Sequence, residues 1–398
     1  MDRMEMETEV SLEGVKADFS GIKLDKILSM EVPSFVSHEP DFKAIEKGVA
    51  RFRGLKNIIV LGNGGSINNI KALHGSLESS KSAFFLSTME PDGIAKIKSL
   101  CNRDETLVMP VTKSGTNVCP LEGLLSFLDY PMLPVTSGDR GVLLEISKRR
   151  KLDYIEHPDV GGRFSGRTSC AFAPASFMGM DIKKVNKGAL EMYERCSPEV
   201  TLKKNPALMI SSALYLLEKK GYTEVFCQVY STRLVSFLPL ITQIMHESVC
   251  KNGKGQTFYG GLGPETQHHT NQRFLGGRKN AVGLFTRVRG FDDDVEIRVP
   301  GDLADIPLRS GKLGDINGKC SKHLGFELEG VLDSTRKAGI PHLMISVKKV
   351  TPESVGEHLA LWQYVGVYSA LLRGVNPYDQ PDVEHAKDVS FRLRKGSG

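Results

Sequence analysis

Runs of four to six apolar and β-branched residues alternate along the chain with longer segments whose apolar positions recur at helical spacing. Strands are predicted over 57–61, 83–87, 106–111, 132–136 and 152–156, each followed by room for a crossover helix, the pattern of a parallel sheet covered by helices. After Ser197-Pro198 a second series begins, with a helix over 207–219, a strand over 224–230 and short strands near 281–285 and 342–347. From Thr351 the periodicity turns helical through Leu359, Leu361, Val365, Val367, Leu371 and Leu372 to Gly374, and another helix is expected after Asn376-Pro377. The expected fold class is α/β, with two tandem doubly wound domains of mainly parallel sheet plus a C-terminal helical arm. The expected boundaries are an N-terminal extension over 1–42, a first domain over 43–200, a second over 201–350 and the arm over 351–398. Both halves share the order strand, short polar turn, helix, at 58–65 and again at 225–231, which suggests an old duplication.

Composition narrows the function classes. In 398 residues, hydrophobic side chains make up 40% and charged ones 25%, and 52 Lys+Arg against 47 Asp+Glu leave +5, a globular balance that gives no reason to expect nucleic acid. The basic run Lys148-Arg149-Arg150-Lys151 is expected on a solvated surface. The longest apolar stretches, 171–180 and 237–245, fall short of the roughly 18–20 residues of a membrane helix, so no membrane is expected. Acidic residues among Met1 to Glu7 stand where a secretory signal would be basic, and the seven cysteines form no Cys-x-x-Cys pair. A cytoplasmic location is expected.

Several segments carry chemistry. Gly62-Asn63-Gly64-Gly65-Ser66 follows a strand and opens a helix, where free N–H groups and the helix dipole suit an anion. The dinucleotide fingerprint fails because Ile67 replaces its third glycine, and an ordinary glycine turn remains the alternative. Thr112-Lys113-Ser114-Gly115-Thr116-Asn117 offers three hydroxyls, an amide and a cation at the end of a neighbouring strand; simple N-capping is the competing reading. Two such loops on one sheet edge are where open α/β folds hold ligands. Arg163, on the turn Gly161-Gly162-Arg163-Phe164-Ser165, suits either a salt bridge or a developing oxyanion. Glu247 shares the apolar stripe of Leu240 and Ile244, so its carboxylate is partly withdrawn from water; it is a base for a carbon acid or half of an ion pair, for instance with Arg163. His268 and His269 lack the i, i+4 spacing of a helical metal pair, and no metal or other cofactor is expected. A lone His is more often a packing residue, yet near-neutral titration suits His268 to proton transfer.

In this order these segments resemble the phosphoglucose isomerase family, over about residues 55–387: Gly161 to Ser165, Gln243-Ile244-Met245-His246-Glu247-Ser248 with Lys251 and Lys254, and Asn376-Pro377-Tyr378-Asp379-Gln380-Pro381 with Val383-Glu384. The resemblance implies two sugar-isomerase (SIS) domains and a metal-free, cofactor-free interconversion of glucose 6-phosphate and fructose 6-phosphate through a cis-enediol. By the same resemblance Glu247 is the general base, His268 and Lys387 open the sugar ring and Arg163 stabilises the enediolate. Gln380 borders the phosphate end, and Gly65, Ser66, Thr112, Lys113, Ser114 and Asn117 contact the phosphate. A hexose 6-phosphate is the implied partner. A homodimer with shared active sites is implied too, because in the family the histidine comes from the neighbouring subunit. The chain departs from the family at Asn63, Asn69, Asn117 and Cys119, the last standing where a glutamate orients the histidine. The competing functions are a non-catalytic sugar-phosphate-binding regulator on the same scaffold and a hexose-phosphate isomerase of relaxed specificity that also accepts mannose 6-phosphate.

Overall fold

The computed structural model describes residues 7–113, 115 and 118–396. Two five-stranded sheets carry the molecule. In the first, β2 (Asn57–Leu61), β3 (Ser82–Leu86), β4 (Thr106–Thr112), β5 (Val135–Thr136) and β6 (Ile155–Glu156) run parallel in the order β3-β2-β4-β5-β6, with β1 (Thr8–Gly14) belonging elsewhere. β4 is buried along its whole length, as an unbroken apolar run between two helical layers must be. The crossover from β2 goes one way and that from β4 the other, so the loops after these two strands face each other across the switch point.

β5 and β6 are shorter than the five residues expected for each. Pro134 interrupts the first, leaving Met132 as an isolated bridge to Val108. In the second, the backbone N–H of Leu152 is spent on closing the preceding helix, through Ser147 O at 2.9 Å, before the strand can start.

The second sheet has the order β1-β14-β9-β7-β8, with β7 (Glu224–Tyr230), β8 (Thr257–Leu262), β9 (Ala281–Gly290) and β14 (His342–Lys349) parallel. Residues read from sequence as part of an extension form β1, which adds antiparallel to the edge at β14. Between β9 and β14 the chain makes a mostly exposed excursion with two short ladders, β10 (Glu296–Ile297) with β13 (Gly318–Lys319) and β11 (Pro307–Leu308) with β12 (Gly311–Lys312).

The helix Pro352–Arg373, read from sequence as an arm, lies in the core. It starts from Thr351, whose hydroxyl accepts from Ser354 N, has Pro352 in its first turn, and stops at Gly374 in the left-handed conformation with φ 67°. Between those ends it is buried on every side, as a helix without a polar face has to be. It packs on the helices Ile182–Arg195, Pro206–Lys219 and Leu238–Val249 and thereby joins the two sheets.

Its closest crossing is with Ile182–Arg195, where two glycines let the backbones touch. A Cβ built on Gly356 would lie 1.9 Å from Val185 O, and one on Gly188 would lie 1.9 Å from Glu353 O. Gly356→Ala is therefore expected to lower stability by about 2 kcal/mol despite alanine's better helix propensity, because backbone rather than a side-chain tip must move. Chemical denaturation of parent and variant measures it, and an unchanged midpoint would show that the crossing has room to spare.

Candidate active site

The site is built where the loop after β2 meets elements from the second half of the chain. The helix Gly65–Ser76 begins directly after the glycine loop, and Gly65 sits so close to the turn Gly162–Arg167 that a Cβ on it would fall 2.0 Å from the carbonyl carbon of Gly162. Asn69, one turn into that helix, fastens the same contact: its Nδ2 donates to Gly65 O at 2.6 Å and to Gly162 O at 3.0 Å. The glycine loop and the arginine turn are thus one rigid unit. Ser66 stands beside them, partly exposed.

Arg163 is the hub. Its side chain is only 5% exposed, and all five of its N–H groups are engaged. Nε donates to Ser248 Oγ at 2.9 Å; Nη1 donates to Glu247 Oε2 at 3.0 Å and to Gln380 Oε1 at 2.8 Å; Nη2 donates to the carbonyls of Pro377 at 2.7 Å and Asp379 at 3.2 Å. Burial holds the guanidinium below its ordinary value, and the carboxylates of Glu247 and Asp379 work against that shift.

Glu247 lies on the helix Leu238–Val249, and its side chain keeps 29% of its surface accessible. Its second oxygen, Oε1, accepts from Gln243 Nε2 at 3.0 Å, one turn earlier on the same helix. Gln243 in turn accepts from Asn68 Nδ2 at 2.9 Å, so the carboxylate is linked to the first half through Arg163 on one side and Asn68 on the other. The ion pair with Arg163 that sequence reading offers as one use of Glu247 is present, and the carboxylate keeps part of its surface accessible beside it.

Past the end of the buried helix, the segment carrying Gln380 is pinned over Arg163 by a second ion pair. Lys251 Nζ donates to Asp379 Oδ1 at 2.6 Å and also reaches the carbonyl of Asn376, and this lysine holds the Asp379 carboxyl below the usual carboxylate range.

On the other side of the switch point, Thr112 is buried and its hydroxyl accepts from Gly115 N at 3.2 Å, while Lys113 is paired with Asp159. Ser114 and Asn117 lie outside the described residues. His268 is exposed in the short turn Glu265–His268 after β8, and no hydrogen bond joins it to Glu247 or Arg163 among the described residues. Lys387 is exposed on the helix Glu384–Lys395, its Nζ donating to Glu384 Oε1 at 2.7 Å. That helix is tied to the first half by Arg394, whose Nε and Nη2 donate to the two oxygens of Glu122 at 2.5 and 2.9 Å.

Within one chain, then, Gly65, Arg163, Glu247 and Gln380 come together, and His268 and Lys387 stand apart from them. Sequence reading gave no role to Gln243, Ser248, Asn68 or Asp379. For Gln243 a signal existed, since it precedes Glu247 by four residues and must share its helix face. Among the described residues no group of three His, Cys, Asp or Glu side chains is placed to hold a metal ion, and no helix is long and apolar enough to cross a membrane. In a separate groove of about 800 Å³ beside β1, Arg336 donates to Glu329 and Arg287 to Ser346.

No family model matches the chain. Among curated proteins it is 29% identical to the probable glucose-6-phosphate isomerase of Methanococcus maripaludis, covering 87% of this chain and 80% of that one. It is 28% identical to the glucose-6-phosphate isomerase of Methanocaldococcus jannaschii, covering 86% and 85%. Among solved structures, a hypothetical protein from Thermus thermophilus superposes with a TM-score of 0.80 at 25% identity, over 90% of this chain and 91% of that one. A glucose-6-phosphate isomerase from Chlamydia trachomatis superposes at 0.76 and 20% identity, over 88% and 72%, a likeness of fold. Over most of its length the chain is thus similar in sequence to glucose-6-phosphate isomerases, and it shares their two-sheet fold.

Proposed function

We propose that this chain interconverts glucose 6-phosphate and fructose 6-phosphate by moving one proton between C2 and C1, with Glu247 as the base. The observation that carries the reading is the pairing of an accessible carboxylate with a buried guanidinium at 3.0 Å, on a turn packed directly against an anion-ready glycine loop. The substrate phosphate rests on that loop, at Gly65 and Ser66, and on the opposite loop at Thr112, Lys113, Ser114 and Asn117. The sugar carbons then extend toward Glu247.

In the open-chain aldose, Glu247 takes the C2 proton. The C–H electron pair becomes the C1=C2 double bond and the carbonyl pair moves onto O1, giving an enediolate. A proton passes from O2 to O1, Glu247 returns its proton to C1, and the carbonyl is re-formed at C2 as the ketose. Negative charge therefore leaves the carboxylate just as it appears on the substrate oxygen. Arg163 follows it: once Glu247 is neutral, the Nη1 donor held by its Oε2 is released to the oxyanion. No reorganisation of water is needed, because the guanidinium is already desolvated and fixed.

Ring opening and closing fall to His268 and Lys387. The exposure of His268 supports a homodimer in which each copy lends this histidine to its neighbour's site. The setting is a cytoplasmic enzyme. A regulator that only binds sugar phosphate has no use for a carboxylate hydrogen-bonded on both oxygens at the sugar's carbon end, so catalysis is the better reading.

Glu247→Gln preserves shape and removes the base. Turnover in a coupled assay is expected to fall by about 10³-fold, with fructose 6-phosphate binding by calorimetry changed by less than about threefold. Turnover equal to the parent's would take Glu247 out of the mechanism. Gly65→Ala tests the positioning of the loop against Arg163. With a Cβ 2.3 Å from Arg163 N, the turn must shift, and kcat/KM is expected to drop about 10²-fold while circular dichroism stays native. Parent-like kcat/KM would mean that the loop and the arginine turn need no fixed spacing.

A further inference from the structure

The proton-transferring carboxylate is held by two donors of different origin. Arg163 serves Oε2, and Gln243 serves Oε1 through its amide N–H. An amide has two chemically opposite ends, and a carboxylate tolerates only one of them. Gln243 has to present Nε2 to Glu247, which leaves its Oε1 facing the first half of the chain, and whatever meets that oxygen has to be a donor. Asn68 supplies it, Nδ2 to Oε1 at 2.9 Å. We propose that Asn68 is a positioning residue for the reaction, setting the polarity of the Gln243 amide and through it the orientation of Glu247 Oε1.

The placement of Asn68 gives this relay its meaning. It lies in the first turn of Gly65–Ser76, its own backbone N–H donating to Gly64 O at 2.9 Å, two residues from Ser66 and three from Gly65. The element expected to receive the phosphate is therefore the one that orients the base across the domain boundary. If Asn68 is removed, Gln243 can turn its carbonyl toward Glu247, which costs the carboxylate a donor and sets two acceptors against each other. Charged groups near Glu247 are Arg163 on the adjacent turn and, beyond it, the Lys251–Asp379 pair; neither is touched by a change at position 68.

The inference rests on the isomerase reading, and the test separates the two. Parent, Asn68→Leu, Gln243→Leu and the double variant are assayed with fructose 6-phosphate across pH. An inactive parent would reject the isomerase reading itself. With an active parent, Asn68→Leu is expected to lower kcat about five- to tenfold with KM within about twofold, and to move the acid limb of kcat/KM upward by about half a pH unit. The substrate's own phosphate titration is common to both and cancels. In the Gln243→Leu background the Asn68 substitution is expected to do nothing further, because the relay is already broken. Independent, multiplying losses, a parent-like Asn68→Leu, or a loss confined to KM would each overturn the proposal. Should Asn68→Leu fail to fold, Asn68→Ser, which keeps a donor too short to reach Gln243, replaces it in the same cycle, with the same outcomes deciding.

Discussion

A buried cation sets the terms for the rest of this structure. Withdrawing a guanidinium from water costs several kcal/mol, and that cost is offset only if every N–H finds an acceptor and the charge finds a counter-ion. Arg163 meets both conditions by drawing on three places in the chain: Glu247 and Ser248 from a helix of the second half, Gln380 with the carbonyls of Pro377 and Asp379 from beyond the core helix, and its own turn against Gly65. Each of these segments is held where it is partly because the arginine requires it there. The fold and the geometry of the candidate site thus rest on the same set of contacts.

Much of the scaffold was legible because its physics is local. The strands at Asn57–Leu61 and Glu224–Tyr230 are short, predominantly apolar and aromatic segments, the second broken only by Gln228 within it, and they lie where the sequence reading puts them. Glu247 was marked by standing on an apolar stripe, and Arg163 by the glycines before it. What escaped depends on partners distant in sequence. β8 is interrupted by Gly260 and Gly261 and lacks the apolar signature, while β1 is polar enough to read as a tail until β14 offers it an edge. The helix Pro352–Arg373 is legible as a helix and its place late in the chain suggests an arm, but its burial on all sides depends on helices distant in sequence. Asn68 shows the limit most clearly: an asparagine in a helix carries no pattern, and its role exists only because Gln243 lies 2.9 Å away across 175 residues of sequence.

Two residues assigned by resemblance, His268 and Lys387, sit on the outside of the chain, and their exposure is informative. Both lie on segments with few buried side chains, one in a short turn after the edge strand β8 and the other on a helix held to the first half by the Arg394–Glu122 pair. In the proposed reaction, groups that approach the sugar ring from outside are best carried on elements that do not depend on the Arg163 cluster. Glu247 and Arg163, by contrast, are immobilised by their hydrogen bonds to the packed elements around them. The division matches the two kinds of chemistry in the proposed reaction: ring opening would exchange protons with oxygen atoms near solvent, whereas proton removal from carbon would need a base held in a fixed position.

The route of the chain between these two regimes explains why the core helix ends where it does. Gly374, in a left-handed conformation that other residues adopt only with strain, turns the backbone off the helix axis at the point where Arg373 is locked to Glu218 at 2.5 Å and its carbonyl accepts from Lys254 at 2.8 Å. The next few residues are fixed again by Lys251 on Asp379 and by Arg163 on Pro377. Lys251 and Lys254 follow directly on the helix that carries Glu247, so the same short stretch of sequence places this carboxylate and fastens the segment that covers its guanidinium partner. A change of register at that helix end would misplace both at once, because the two lysines, three residues apart, stand immediately after the helix that carries Glu247.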